Sequence, residues 1–116
     1  MIDLLVDEAY AFDYLSILER KIDNSEQDWI NFEKIYLDIE SQIGSKLFRE
    51  IINSIHYKKL VDINSHIYSM VDKIRAGDTS ITAKDVDDAN ISRYRSKVNL
   101  QKQFFSADLF EKKTNI

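Results

Sequence analysis

The stretch WINFEKIYLDIESQIG, residues 29–44, decides the fold of this chain. Its large apolar residues recur at alternating steps of three and four, the spacing that places side chains on one face of an α-helix. A glycine follows directly, where helices commonly stop. The stretch therefore predicts an amphipathic helix that ends at Gly44, with an apolar seam formed by Trp29, Phe32, Tyr36, Ile39 and Ile43.

The helical pattern continues in both directions from this seam. No proline interrupts it anywhere in the 116 residues, and the only two glycines are Gly44 and Gly77. Upstream, apolar spacing predicts a helix from about Ile2 to Ile22, followed by a break in which Ser25 caps the next helix. Such a sequence is typical of helices joined by tight connections.

Downstream of Gly44, the spacing predicts three further helical segments. A short helix capped by Ser45 comes first, and a longer helix that ends at Gly77 comes second, with Gly77 in the left-handed position. Thr82 then caps a polar helix that runs to about Phe105 and turns Ile91, Tyr94, Val98 and Phe105 inward. A final turn at residues 106–108 precedes a polar tail from about residue 112.

These elements predict an all-α fold, a small helical bundle of three long helices plus one or two short helices. Length fits one helical domain over residues 1–116. No apolar run approaches the ~20 residues that span a bilayer, and the first residues carry acids where a signal peptide needs positive charge. Because the chain has no cysteine, disulfides and thiolate zinc sites are excluded. We expect a cytoplasmic protein that does not contact membranes.

Charge is distributed unevenly along the chain. Residues 1–44 hold eleven acids against three bases, whereas residues 45–116 hold nine acids against thirteen bases. This asymmetry could draw one half onto the other, or one subunit onto its neighbour. Two solvated helix faces without a partner would also account for it.

Most catalytic patterns are absent from the sequence. No serine lies in a nucleophile elbow, and two isolated glycines cannot form a phosphate-binding loop. His56 and His66 do not have metal-ligand spacing. The sequence therefore favours a non-enzymatic protein that needs no cofactor and no metal.

Two alternatives use charged residues. Asp85 and Asp88 share one helix face, and such pairs on facing helices could hold Mg²⁺ in a small phosphohydrolase. The basic residues Arg93, Arg95 and Lys97 could instead grip phosphates or a nucleic acid. The net charge of −4 argues against nucleic acid as the main partner. Acids in the first turn of a helix also complement its dipole without any ligand.

Aromatic residues suggest a homodimer. Six tyrosines, six phenylalanines and one tryptophan are many for a small bundle. They could simply fill the core, but Tyr14, Trp29 and Tyr68 lie at the boundary between polar and apolar faces. We expect them, with the 29–43 seam, to contribute to a surface that buries against a second copy of the chain.

Three segments resemble an uncharacterised family of small helical proteins from bacteria, marine phages and metagenomes. They read DYLSILERK (residues 13–21), LVDIN leading to VDKIR (60–64 and 71–75) and FFSADLFEKKT (104–114). The family pattern is similar to DKLSILEIK, then EDKIR, then LLGSEIVEEKSY. This chain departs from it at Tyr14, Val71 and Lys112. The resemblance implies a helical fold and a gene neighbourhood near surface-polysaccharide synthesis, and it implies no catalytic residues.

The same segments supply one candidate polar cluster. Asp13 and Glu19 fall near one face of the first helix, and Asp72 and Arg75 are three residues apart on a later helix. We expect the two segments to face each other inside the bundle as a buried polar network. Two solvated faces carrying an exposed ion pair are the simpler alternative.

Overall fold

The computed structural model describes residues 7–105, which fold into five helices with no strand among them. The prediction of an all-α protein is therefore confirmed for this part of the chain. Three helices have 18 to 23 residues, one has 13 and one has 8. The helices are α1 (Glu8–Arg20), α2 (Glu26–Ile43), α3 (Ser45–Ile52), α4 (Ile55–Arg75) and α5 (Ala83–Phe105).

Three predictions from the sequence lie outside the described residues. They are the start of the first helix near Ile2, the final turn at residues 106–108 and the polar tail. Among the described helices, none is both long enough and apolar enough to cross a bilayer.

Side-chain caps begin α2 and α5 where the sequence predicted them, whereas the predicted cap at Ser45 is wrong because Gly44 is the N-cap of α3. The hydroxyl of Ser25 accepts a hydrogen bond from the backbone N–H of Asp28 at 3.1 Å. Thr82 and Asp85 form a reciprocal capping box, with bonds of 3.1 Å to the Thr82 hydroxyl and 2.9 Å to the Asp85 carboxylate. Ser54 caps α4 in the same way as Ser25, which the sequence reading did not anticipate.

The two glycines end helices by different geometries. Gly77 closes a Schellman motif, because its N–H bonds to the Ile74 carbonyl at 3.0 Å and the Asp78 N–H bonds to the Lys73 carbonyl at 2.9 Å. Gly44 has φ 95° and ψ 146°, an extended conformation with positive φ and not the left-handed helical one that commonly ends helices. Gly44 also occupies the N-cap of α3, so Ser45 is the first residue inside that helix.

Helix α1 lies at the centre of the fold and packs against α2, α4 and α5. Phe12 is fully buried, with ring centroids 5.8 Å from Phe48 and 6.2 Å from Tyr57. Helices α4 and α5 form an antiparallel hairpin in which His56, near the start of α4, meets Phe104 at the end of α5. The core comprises Ala9, Ala11, Phe12, Leu15, Ile39, Phe48, Ile51, Tyr57, Leu60 and Leu100.

Helix α5 turns most of its predicted inner residues toward the core, because Tyr94, Val98 and Phe105 pack against it. Ile91 is exposed, although the periodicity placed it inward. The face that α5 buries includes the polar residues Ser96, Lys97 and Gln101. Gln101 accepts a hydrogen bond from the backbone N–H of Ala9 at 2.9 Å, at the first turn of α1. Polar contacts with α1 therefore act together with the apolar residues of α5 to set its orientation.

We predict that the two glycines differ in the substitutions they tolerate. Gly77→Ala should cost about 1 kcal/mol, because an L-residue pays for positive φ. Gly77→Asn should cost less, because asparagine enters the left-handed helical region readily. Gly44→Asn should cost no less than Gly44→Ala, since φ 95° with ψ 146° lies outside the left-handed helical region. Urea unfolding of the variants measures these differences, and equal costs for asparagine at both positions would contradict the assignment.

Candidate functional site

A buried carboxylate lies in the middle of α1. Asp13 is only 2% exposed, and burying an ionised group of this kind is costly unless it is paired. Arg93 of α5 pairs with it through Nε, 3.0 Å from both carboxylate oxygens, and through Nη2, 2.6 Å from Oδ2. Fork-like pairing of this type is among the strongest charge-assisted contacts in proteins.

Helix α4 contributes a third member to this site. Asn64 is fully buried, and its Nδ2 donates to Asp13 Oδ1 and to Ser16 Oγ, both at 2.8 Å. The Ser16 hydroxyl in turn donates to the Asp13 backbone carbonyl at 2.6 Å. We call Asp13, Ser16, Asn64 and Arg93 the Asp13 cluster. Its hydrogen bonds and its ion pair link α1, α4 and α5.

The orientation of the Asn64 amide follows from its neighbours. Turning it over would place the amide oxygen against the Asp13 carboxylate, acceptor against acceptor. The amide nitrogen therefore faces Asp13, and Asn64 Oδ1 is left buried with no hydrogen-bond partner in the described structure. An unsatisfied buried acceptor costs about 1–3 kcal/mol, which the two donor contacts of the same amide help to offset.

Arg93 completes the electrostatics of the cluster. The hydrogen bonds to Asp13 raise the pKa of the guanidinium above its ordinary value, while partial burial acts in the opposite direction. Its side chain retains 29% exposure, so the cluster reaches the surface only along the outer edge of this one residue. The arrangement holds a fixed ion pair and presents no free carboxylate to a substrate.

The structure places the four residues of the predicted cluster in different environments. Asp13 lies in the Asp13 cluster, and Glu19 accepts a hydrogen bond from the Tyr57 hydroxyl at 3.0 Å. Asp72 is exposed, 3.6 Å from Arg20, and Arg75 is exposed in the last turn of α4. Within residues 7–105, no hydrogen bond or ion pair joins any two of these four side chains.

The Glu19–Tyr57 contact is a second buried polar link between α1 and α4. Tyr57 is 2% exposed, and its ring packs edge-on against Phe12. Burial raises the pKa of the Tyr57 phenol well above its ordinary value, and the negative charge of Glu19 adds to this rise. The phenol therefore remains a hydrogen-bond donor throughout the neutral and moderately alkaline range.

The basic residues of the phosphate-binding alternative do not form one surface. Arg93 is bound to Asp13, and Lys97 is 7% exposed with its ammonium 5.2 Å from the centre of the Tyr10 ring. Arg95 is exposed. A second cation–aromatic contact lies at the last residue of α1, where the Arg20 guanidinium is 4.5 Å from the centre of the Tyr68 ring.

The acids of the magnesium alternative border a groove between α4 and α5. The groove has a volume of about 510 Å³ and is lined by both apolar and charged residues, among them His66, Lys73, Asp85 and Asp88. Asp85 is engaged in the capping box, which lowers its pKa, and Asp88 pairs with Lys84 at 2.7 Å. In the part of the chain that the structure describes, no three histidines or acids converge as metal ligands.

Comparison of the chain with protein families, with curated proteins and with solved structures finds no match in any of the three. The resemblance to the family of small helical proteins therefore stays a prediction.

We predict that Arg93→Met destabilises the protein by about 3 kcal/mol, because it strands the Asp13 carboxylate in the core. Arg95→Met is the matched control two residues away, and it should change stability by less than about 0.5 kcal/mol since Arg95 is exposed. Combining Asp13→Asn with Arg93→Met should recover part of the loss, and urea unfolding of the wild type, the two single variants Asp13→Asn and Arg93→Met, and their combination measures the coupling. Equal effects of the two methionine substitutions would contradict a buried ion pair.

We also predict that Tyr57 makes stability fall at alkaline pH. In the unfolded chain its phenol ionises near pH 10, whereas the raised pKa in the fold keeps it protonated. Its contribution is therefore complete below about pH 10 and is lost as pH rises, by up to about 1.4 kcal/mol per unit.

Comparing Tyr57→Phe with the wild type isolates this effect. Tyr57→Phe should cost about 1 kcal/mol near neutral pH, because the hydrogen bond to Glu19 is lost. The gap should shrink or reverse at about pH 11, as measured by urea unfolding. Tyr14→Phe, which removes an exposed phenol from α1, controls for the loss of one tyrosine. A gap for Tyr57→Phe that does not change with pH would refute the prediction.

Proposed function

We propose that this protein is a non-enzymatic helical interaction protein that assembles with a second copy of itself through the outer surface of α2. That surface consists of Trp29, Ile30 and Leu37, which are 48%, 47% and 52% exposed. At 3.6 residues per turn they fall within about 100° of the helix circumference. Three large apolar side chains exposed together on one helix are the observation that carries the proposal.

The packing of α2 supports this proposal. Ile39 is the only buried residue among its 18, and the helix packs mainly against α1 and α3. Four further apolar residues, Phe32, Ile35, Tyr36 and Ile43, are partly buried against the core. A helix within a protein gains most of its stability from an amphipathic face buried against other elements. In α2 a second, outer face also carries apolar residues.

The shape of the molecule is consistent with a missing neighbour. Its radius of gyration is 15.0 Å, whereas a compact chain of this length has one of about 13 Å. The principal extents are 45 × 39 × 24 Å, so in one direction the molecule is about two helices thick. A second copy placed on the outer surface of α2 would give this helix a partner on both sides.

An aromatic ladder links the outer surface of α2 to the core. Ring centroids are 6.1 Å apart between Trp29 and Phe32, 5.7 Å between Phe32 and Tyr36, and 4.6 Å between Tyr36 and Phe48. Because Phe48 is fully buried, the ladder holds Trp29 on a rigid support. Aromatic anchors whose position is set in advance are favoured in protein interfaces, since little entropy is lost on binding.

The proposed interface differs from the seam that the sequence suggested for dimerisation. Of Trp29, Phe32, Tyr36, Ile39 and Ile43, only Trp29 is exposed, and the other four turn toward α1 and α3. Ile30 and Leu37, seven residues apart, take their place on the outer side of the helix.

The other two candidate functions have less support. A phosphate site at Arg93, Arg95 and Lys97 would need side chains that the fold directs to Asp13 and to Tyr10. A magnesium site would need carboxylates now engaged with Thr82 and Lys84. We therefore propose that the protein acts as a self-associating interaction protein. The cysteine-free sequence suggests that it does so in the cytoplasm.

We predict a dimer of twice the 13.6 kDa chain mass in light scattering at micromolar concentration. Dilution should shift the fluorescence of the single tryptophan, Trp29, to longer wavelength as the interface opens. The double variant Ile30→Ser, Leu37→Ser should be monomeric. Ile74→Ser, Ile91→Ser, which also removes two exposed isoleucines, should remain dimeric. A wild-type chain that is monomeric throughout would overturn the proposal.

A further inference from the structure

We infer that the surface receiving α2 in the second copy is a basic corner formed by α3 and the start of α4. This inference rests on the proposed self-association and names its second surface. The basic corner is defined as Lys46, Arg49, Ile55, Lys58 and Lys59, all of which are exposed.

Ile55 is the apolar centre of this corner. It is the first residue of α4 and is 61% exposed, more than any other large apolar residue of the described chain. Lys58 and Lys59 lie three and four residues further along α4, which places them on the same helix face as Ile55. One acid, Asp62, follows a turn later on that face.

Helix α3 extends the positive charge of the corner. Lys46 and Arg49 are exposed on this short helix, which packs against α4, and Glu50 is its one acid. Helices α3 and α4 therefore contribute four exposed cations and one exposed isoleucine to the proposed surface. Interfaces commonly combine an apolar centre with a charged rim in this way.

The outer surface of α2 has the opposite charge. Helix α2 carries five acids and one lysine, and Glu26, Glu33 and Glu40 fall on the same side of the helix as Trp29, Ile30 and Leu37. Two α2 helices placed face to face would bring these acids together, and like charges across an interface are costly. The charge pattern thus disfavours pairing of α2 with α2 and favours pairing of α2 with the basic corner.

The position of the two surfaces suits a two-fold dimer. Helices α2 and α3 are adjacent in the chain, joined at Gly44, and α3 contacts α4. A two-fold axis that places α2 of one copy on the basic corner of the other forms the reciprocal contact at the same time. Each contact then has to bury only about half of the ~1,600 Å² of a standard interface.

Charge exchange tests this pairing directly. Variant one, Glu33→Lys with Glu40→Lys, makes the outer surface of α2 basic. Variant two, Arg49→Glu with Lys58→Glu and Lys59→Glu, leaves Lys46 as the one cation among three acids and makes the corner acidic. Each variant alone places like charges across both contacts and should be monomeric at concentrations where the wild type is dimeric. An equimolar mixture restores both contacts, so native mass spectrometry should show a dimer containing one chain of each variant.

The control for altered net charge is Asp23→Lys with Asp87→Lys, which changes the charge as variant one does but at exposed positions outside both surfaces. It should remain dimeric, and circular dichroism at 222 nm should show all variants helical. The milder pair Glu33→Gln with Glu40→Gln should weaken the dimer about tenfold, with a smaller dependence on salt than the wild type.

The possible outcomes separate the two proposals. A wild-type chain that never dimerises overturns both the self-association and the pairing. A wild-type dimer whose charge-exchanged variants each still dimerise alone, or fail to combine on mixing, overturns the pairing and leaves self-association through another surface. Dimers that form only in the mixture support α2 on the basic corner.

Discussion

The ion pair between Asp13 and Arg93 is the contact on which the arrangement of the helices depends. Removing a carboxylate and a guanidinium from water costs several kcal/mol, and close pairing with hydrogen bonds is what offsets this cost. Asp13 is 2% exposed, so α5 has to present Arg93 at one particular level along α1. A shift of α5 by one turn would move Arg93 by about 5.4 Å and leave the carboxylate unpaired. Asn64 imposes the same requirement on α4.

Helix α2 contributes no residue to the Asp13 cluster. Helices α1, α4 and α5 are joined by buried polar contacts, whereas α2 adheres to α1 and α3 through aromatic and aliphatic side chains. Apolar contacts are not directional, and they specify position less strictly than hydrogen bonds do. Helix α2 therefore has one face in the core and another with exposed apolar residues among acids. This exposed apolar face is the surface that we propose to bind the second copy.

Several local features could be predicted because they depend on neighbours in the chain. The helical spacing of residues 29–43, the caps at Ser25 and Thr82, and the stop at Gly77 each involve groups within a few residues of one another. Asp13 could also be singled out, because it lies beside the apolar stripes of α1. The prediction did not reach its partner, since Arg93 is 80 residues away and lies in a basic run that is typical of a solvated helix. The one available signal was a charged residue beside an apolar stripe. Such a residue needs an oppositely charged partner when it is buried, but the sequence pattern does not identify that partner.

The amino-acid sequence by itself determined the all-α class, the caps at Ser25 and Thr82, the helix stops at Gly44 and Gly77, and the unequal distribution of charge, because periodicity, capping and composition are local properties. Only the tertiary structure decided that Arg93 turns inward to Asp13, that Ile91 turns outward, and that Ile30 and Leu37 are exposed on α2. Helix α5 is the most polar of the helices, and its apolar residues account for only part of its contact with the other helices. Its orientation is selected by pairing with groups of α1 distant in the chain, and such pairing exists only once the helices have packed.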